Sequence, residues 1–284
     1  MTAGTTLTEA GERLRERGVD EPELNAQWLL AAAMGVERLR LLAEPDLPVT
    51  PAALKTFRRH LALKERGLPL AYILGWQDFR NIRLKVDRRV LVPRPETEEL
   101  AGIAAGFLKG RGAEPAAMDY GAGSGAIGLS LAAEFPGLRL TALEKSPEAI
   151  ACAAENALAL GLETRVRFLA ASALEPRGER FDLIVSNPPY IPSGVIPGLS
   201  PEVLSEPRLA LDGGADGLSV ARMLARNAPG RLKPGGALIM ELGEAQARAL
   251  LAGMPAAVWP EKKALKDFRG VERFVYAVTG RNNG

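Results

Sequence analysis

Cysteine and histidine are nearly absent from this chain of 284 residues, which holds one of each. A lone Cys152 can form no intrachain disulfide, which points to a reducing compartment, and beside Ile150 and Ala153 on a helical stretch it reads as a small packed residue. His60 sits on another helical stretch and reads as a partly exposed residue without an acid or base role. Long apolar runs are missing too. None would cross a bilayer, and Met1-Thr2-Ala3-Gly4 opens no secretory pattern, so the protein is expected in the cytoplasm, away from membranes. Nor does charge accumulate. A net charge of +2, with Arg58-Arg59 and Arg88-Arg89 scattered as solvated pairs, lacks the concentrated basic face of a nucleic-acid binder, and no stable nucleic-acid partner is expected. There is no internal repeat and no low-complexity tract. What remains is an ordinary globular composition, 47% hydrophobic and 25% charged, enough for a sizeable core in one or two domains.

The front third reads as helical. Residues 8–17 open with Thr8 as an N-cap and stop at Gly18, and 23–34 form a helix closed by Gly35. After 39–42 and a proline-rich stretch over 45–51, a third helix at 52–66 places Leu54, Phe57, Leu61 and Leu63 on its apolar side and is capped by Gly67. Residues 1–70 are therefore expected to be a small helical bundle. From 69 to 92 the period becomes that of strands through Trp76, Phe79, Ile82, Leu84, Val86, Val90 and Val92, with turns at Asp78 and Asp87-Arg88-Arg89; 71–92 reads as a hairpin linker.

In Pro93-Arg94-Pro95-Glu96-Thr97-Glu98-Glu99 the prolines stiffen the entry to a helix that starts at Glu96 or Thr97 and runs to Lys109, and the acidic residues suit a helix N-terminus whether or not they do more. Beyond Ala113 strands alternate with helices: strands at 116–120, 138–144, 166–169, 181–186 and 237–242, helices at 126–134, 147–160 and 218–226, and a closing antiparallel strand at 273–278. Each return to a parallel strand needs a crossover, so the alternation specifies an α/β fold with a mostly parallel, doubly wound sheet over 93–284.

The apolar strand Phe181-Asp182-Leu183-Ile184-Val185-Ser186 is cut off by Asn187-Pro188-Pro189-Tyr190, where two prolines can neither donate to a ladder nor extend a helix. That corner offers an amide side chain, carbonyls and an aromatic ring, but no strong base, nucleophile or metal ligand. It is suited to holding an amino group for reaction rather than attacking anything itself; the bland alternative is a tight strand exit. A second stretch, Asp119-Tyr120-Gly121-Ala122-Gly123-Ser124-Gly125, lies between a strand and its helix, where glycines allow a tight turn and a ligand close to the backbone. Glu144 ends the next strand roughly 20 residues on, where a carboxylate accepts from ribose hydroxyls. The pair is a nucleoside-cofactor signature. Gly123-Ser124-Gly125-Ala126-Ile127-Gly128 also matches a dinucleotide spacing, yet the corner supplies no hydride-transfer partner. S-adenosyl-L-methionine fits better, with Asp119 as a carboxylate near its sulfonium and amino group.

Asp119 to Gly125, Glu144 and Asn187 to Tyr190 resemble the class I Rossmann-like amino-methyltransferases. Leu91-Val92-Pro93-Arg94-Pro95-Glu96-Thr97-Glu98, the run from Glu206-Pro207-Arg208 to Asp216-Gly217, and Leu232-Lys233-Pro234-Gly235-Gly236 narrow the likeness to the peptide-chain release factor glutamine N5-methyltransferases, the PrmC/HemK family. The resemblance implies that Gly121, Ala122, Gly123, Ser124 and Gly125 wrap the methionine part of the cofactor and Glu144 binds its ribose. It implies that Asn187 and Pro188 accept the N–H groups of a glutamine amide, with Tyr190 packed on its plane and Pro189, Arg94, Glu96 and Thr97 among the substrate contacts. The implied substrate is the glutamine of the Gly-Gly-Gln loop of class I peptide-chain release factors, met by a monomer whose helical front domain recognises the protein. Two departures stand out. Ser172-Ala173 occupies the adenine side where the family commonly has an acid and a large apolar residue, and Tyr120 and Ala122 replace leucine and threonine in the loop. Two other readings compete: an amino-methyltransferase that flips a nucleic-acid base onto Tyr190, and a binding module without activity.

Overall fold

The first helix begins earlier than its sequence suggests. In the computed structural model, which describes residues 1–175 and 178–280, α1 spans Ala3–Glu16 because Thr2 and Thr5 form a reciprocal capping box. Thr8 lies inside the helix, its hydroxyl donating to the Gly4 carbonyl at 3.1 Å. There follow α2 (Pro22–Met34), α3 (Arg38–Ala43), α4 (Pro51–Glu65) and α5 (Leu70–Leu74). Gly35 ends α2 in the left-handed conformation, and the Thr50 hydroxyl accepts from the Ala53 N–H to start α4. The stretch at α5 was expected to be strand, but one short apolar helical turn forms before the strands begin. Leu14, Leu29, Leu30, Phe57 and Leu61 are the buried centre of this bundle.

Contacts divide the described residues into two units, Met1–Trp76 with Leu199–Ser205, and Gln77–Gly198 with those from Glu206 onward. Within the first unit, Lys64 is almost wholly buried and reaches the Glu202 carboxylate at 2.8 Å.

Apart from Trp76, the second unit takes in the hairpin β1 (Trp76–Phe79) and β2 (Ile82–Lys85), which turns at Arg80 with φ 51°. Asp78 is therefore a strand residue rather than a turn, and Val90 and Val92 lie outside any strand. Helix α6 (Pro95–Leu108) starts at Pro95, because a proline at the first position loses no helical hydrogen bond. Then come β3 (Ala116–Tyr120), α7 (Ala126–Glu134), β4 (Arg139–Glu144), α8 (Pro147–Ala159), β5 (Val166–Ala170), β6 (Phe181–Ser186), the short α9 (Pro201–Leu204, in the first unit) and α10 (Arg208–Leu211), α11 (Ser219–Asn227), β7 (Leu232–Glu241), α12 (Gln246–Ala252), β8 (Glu261–Lys266) and β9 (Glu272–Val278).

The seven-stranded sheet runs in the order β5-β4-β3-β6-β7-β9-β8. Neighbours from β5 to β7 are parallel, and β9 is antiparallel to both β7 and β8. Every residue of β3 and β6 is buried, as expected of central parallel strands covered on both faces. Asp182 accepts from the Ala116 N–H at 2.8 Å and from Lys233 Nζ at 2.6 Å, which ties the beginnings of β3, β6 and β7 together. The strand order reverses between β3 and β6, so the crevice that open α/β sheets use for ligands lies beyond the carboxyl ends of those two strands.

Candidate active site

β3 and β6 pair in register from Ala117↔Leu183 to Asp119↔Val185, so the glycine loop after one and the Asn-Pro-Pro-Tyr corner after the other begin side by side. The Ser186 hydroxyl donates to the Tyr120 carbonyl at 2.7 Å and fastens the two strand ends together. Gly121, Gly123, Glu144, Ser172, Asn187 and Pro189 line a cleft of about 310 Å³, with Tyr120, Val90, Leu91 and Leu143 among its apolar walls. This volume falls at the lower end of ordinary small-molecule sites.

The loop side of the cleft is built from backbone. Gly121 has φ 72° and open space where a Cβ would stand, so its peptide is accessible to a ligand in a conformation that L side chains rarely adopt. Ala122, Ser124 and Gly125 are buried and do not face the cleft. Asn156, buried on α8, accepts from the Lys85 N–H at 2.7 Å and donates to the Ser124 carbonyl at 2.9 Å, holding the loop against the hairpin. Glu144 Oε2 accepts from the Gly123 N–H at 3.0 Å, while Oε1 accepts from Lys145 N and Ser146 N at 2.7 and 2.9 Å. A carboxylate has about four acceptor sites, so the three N–H bonds that fix it at the rim leave one uncommitted on a residue that lines the cleft. Elsewhere on the cleft wall, the Ser172 carbonyl accepts from the Tyr120 hydroxyl at 3.3 Å.

Asp119 does not stand where a cofactor carboxylate was expected. It is 1% exposed and does not line the cleft; Oδ2 accepts from the Gly128 N–H at 2.8 Å, one turn into α7, and Oδ1 has no partner. The β3 pleat turns it under the loop, and burial, with Glu144 adding to it, pushes its carboxyl up to about 7. Its place is to anchor the helix that follows the loop.

The corner side is built from side chains drawn from distant parts of the chain. The Asn187 Nδ2 group donates to the Thr97 hydroxyl at 3.0 Å, and that hydroxyl donates to Glu241 Oε2 at 2.8 Å. Thr97, expected as a substrate contact, is 4% exposed on the first turn of α6 and lies behind Asn187. Arg94, expected beside it, pairs with the buried Glu206 carboxylate and pins the start of α6 to the segment before α10. Glu96 stays partly exposed near Glu241 and Arg273. Pro188 is buried, and Tyr190 packs part of its ring on the sheet core while its carbonyl accepts from Gln246 Nε2 at 2.9 Å. Burial and the nearby Glu241 push the Tyr190 hydroxyl up to about 12, so it remains protonated.

The glycine-rich stretch from Asp212 to Gly217 forms the floor under the corner: a Cβ on Gly217 would lie 2.1 Å from the Tyr190 carbonyl oxygen. Cys152 is buried and its thiol is pushed up to about 11 by that burial, consistent with a packed residue.

Residues 5–75 match the family described as the PrmC N-terminal domain, and residues 107–196 match the methyltransferase small domain. A release factor glutamine methyltransferase of Moorella thermoacetica is 42% identical over 275 residues, covering 96% of this chain and 97% of its own. One of Geobacter sulfurreducens is 41% identical, covering 92% and 91%. The chain belongs to the release factor glutamine methyltransferase family. Among solved structures, the catalytic domain of hMettl16 in complex with MAT2A 3′UTR hairpin 6 aligns with TM-score 0.58 at 15% identity, covering 79% of this chain and 83% of that one, a likeness of fold.

Within this methyltransferase, sequence reasoning left two residues unassigned. Asn156 carries no motif, and its role depends on three elements meeting. Glu241, at the end of β7, reads equally well as solvent-facing; only the sheet order places it behind β6. Among the described residues, no helix is long and apolar enough to cross a membrane.

Proposed function

We propose that this protein transfers a methyl group from S-adenosyl-L-methionine to the side-chain amide nitrogen of the glutamine in the Gly-Gly-Gln loop of class I peptide-chain release factors, in the cytoplasm and as a monomer. One observation carries the reading: Asn187 is tethered through its nitrogen to Thr97, so its oxygen is the group it can offer to an N–H in the cleft it lines. The family supports the substrate, and the matched front segment supports the helical bundle as the part that recognises the protein.

The cleft suits the cofactor. Gly121 and Gly123 line it with backbone for the amino-acid part, Glu144 is held at the rim with an acceptor site left for a ribose hydroxyl, and Ser172 lines the wall assigned to the adenine. S-adenosyl-L-methionine, when bound, supplies an electrophilic methyl group carried on a sulfonium.

Everything else falls to the chain. A glutamine amide nitrogen is a poor nucleophile because its lone pair is delocalised into the carbonyl. Asn187 Oδ1 and the Pro188 carbonyl accept its N–H bonds, orient it, and favour the positive charge that develops on it. Tyr190, kept neutral, gives the amide an apolar face. No residue at the corner need act as a base, because the proton leaves the methylated nitrogen to water afterwards.

The test is to incubate the protein with methyl-labelled S-adenosyl-L-methionine and either a release-factor fragment holding Gly-Gly-Gln or RNA. A mass increase of one methyl on the glutamine is expected. Label found only in RNA would overturn the assignment in favour of a nucleic-acid substrate, and label in neither would favour a binding module.

A further inference from the structure

We propose that Thr97 and Glu241 are positioning residues that fix the polarity of the Asn187 amide, so that its oxygen rather than its nitrogen faces the substrate. The inference rests on the amide-nitrogen reading of the corner and deepens it.

An asparagine side chain has two edges of almost equal shape and opposite chemistry, one accepting and one donating. At this corner the wrong edge would aim two N–H bonds at the N–H bonds of the substrate, leaving no acceptor and adding repulsion. A rotation about one side-chain bond separates the two arrangements, so something must choose between them. Packing alone cannot, because oxygen and nitrogen are nearly the same size.

Hydrogen-bond counting shows what does. Glu241 is 1% exposed at the end of β7, and an ionised carboxylate can only accept. Thr97 has a single hydroxyl proton and gives it to Glu241 Oε2 at 2.8 Å. With that proton committed, the Thr97 oxygen can only accept, and the group that meets it at 3.0 Å must be the Asn187 nitrogen. Nδ2 is thereby turned inward and Oδ1 toward the cleft. No bulk water reaches Thr97 to exchange for either bond, since it is 4% exposed. Direction thus passes from a carboxylate through a hydroxyl to an amide, across residues 97, 187 and 241 on three separate elements.

The arrangement has a pH consequence. The charged and titratable groups around Glu241 are Glu96 on the first turn of α6, Tyr190 after the corner and Arg273 on β9; burial, with Glu96 adding to it, outweighs Thr97, Arg273 and Tyr190, which favour its charge, and pushes it up to about 7. A protonated Glu241 could donate to Thr97 itself. The Thr97 proton would then be free to go to Asn187 Oδ1, and both amide orientations would be satisfied. Methylation is therefore expected to lose rate as the pH falls through about 7, on kcat rather than on cofactor binding.

The test uses the full chain with S-adenosyl-L-methionine and a Gly-Gly-Gln peptide. Thr97→Val keeps the shape and removes both bonds; kcat should fall by about 10- to 100-fold with the cofactor Kd changed by less than about threefold, and Thr97→Ser should restore most of the rate. Glu241→Gln offers Thr97 a donor as well as an acceptor, so it should lower kcat and abolish the acid limb. A second readout needs no substrate. In the cofactor-bound protein, the Asn187 side-chain amide protons should exchange slowly with solvent by NMR, and faster in Thr97→Val, or in Glu241→Gln should Thr97→Val not fold. Wild-type kcat in Thr97→Val, or equal exchange in wild type and variant, would overturn the inference. If wild type leaves the glutamine peptide unmethylated while the exchange difference holds, the amide lock stands and the substrate assignment falls instead.

Discussion

The two halves of this site solve the same problem by different means. The glycine loop presents backbone to its ligand and is held by near neighbours: Asp119 reaches Gly128 over 9 residues and Glu144 reaches Gly123 over 21. The corner presents a side chain: Thr97, which holds Asn187, comes from 90 residues away and is itself held by Glu241, 144 residues from it in the chain. Each half is backed by a buried carboxyl group, Asp119 under the loop and Glu241 behind the corner, and burial pushes both up to about 7. A cofactor common to many methyltransferases can be met by a loop whose geometry is local. On the proposed reading, an amide nitrogen that must be aimed needs a side chain whose direction is set, and direction has to be imported from elsewhere in the fold.

The comparison makes the two halves separable by experiment. Removing the acceptor at the corner should strike turnover: Asn187→Ala is expected to lower kcat by about 10²- to 10³-fold, the scale of losing one preorganised polar group at a reacting centre, with cofactor affinity nearly unchanged. Near-wild-type turnover at saturating peptide would mean that the corner does not orient the nucleophile. Asn187→Asp should keep partial activity, since a carboxylate also accepts.

Striking the other half should do the reverse. Glu144→Ala leaves the N–H groups of Gly123, Lys145 and Ser146 without their carboxylate and removes an acceptor from the rim. Hydrogen bonds to a charged group contribute about 1.5–3 kcal/mol, so calorimetry should find S-adenosyl-L-methionine bound about 10- to 100-fold more weakly. At saturating cofactor kcat should stay within about threefold of wild type. A large kcat loss with unchanged cofactor affinity would dissolve the distinction between the halves.

How far the sequence shows all this follows the same division. The bounds of β3, α7 and β6 are legible residue by residue, because a continuous apolar run between a glycine loop and a proline corner leaves little choice of structure. Glu144 is legible for the same reason, as its partner lies one strand and one helix away. Elements whose pattern is set by solvent or by partners are not. Strand β8, Glu-Lys-Lys-Ala-Leu-Lys, looks like a charged surface segment because it is an edge strand, where lysines discourage further pairing. The start of α1 is hidden because Thr2 and Thr8 are equally good caps and only the Thr2–Thr5 reciprocity selects one. Thr97 is visible as part of a motif but its direction is not: a threonine on a first helical turn points outward or inward according to what the sheet puts behind it. Glu241 becomes meaningful only once β7 is known to lie beside β6.

The smallest effect tests the loop's own support. Asp119 has a carboxyl pushed up to about 7 in the folded protein, against an ordinary value near 4 in the unfolded chain. Between those values the folded protein holds a proton that the unfolded chain has released, so stability is greatest below about pH 4 on this account and is lost as the pH rises through about 7, with a slope of at most about 1.4 kcal/mol per pH unit for each such proton. Glu241 contributes in the same direction. Asp119→Asn keeps an oxygen for the Gly128 N–H and cannot ionise, so urea titrations at pH 5, 6, 7 and 8 should show roughly half the wild-type decline in stability. The variant should be the more stable of the two at pH 8 and lose that advantage at pH 5. An unchanged decline would place the uptake of protons at the corner alone, and the loop would then rest on its glycine backbone without help from a buried carboxyl.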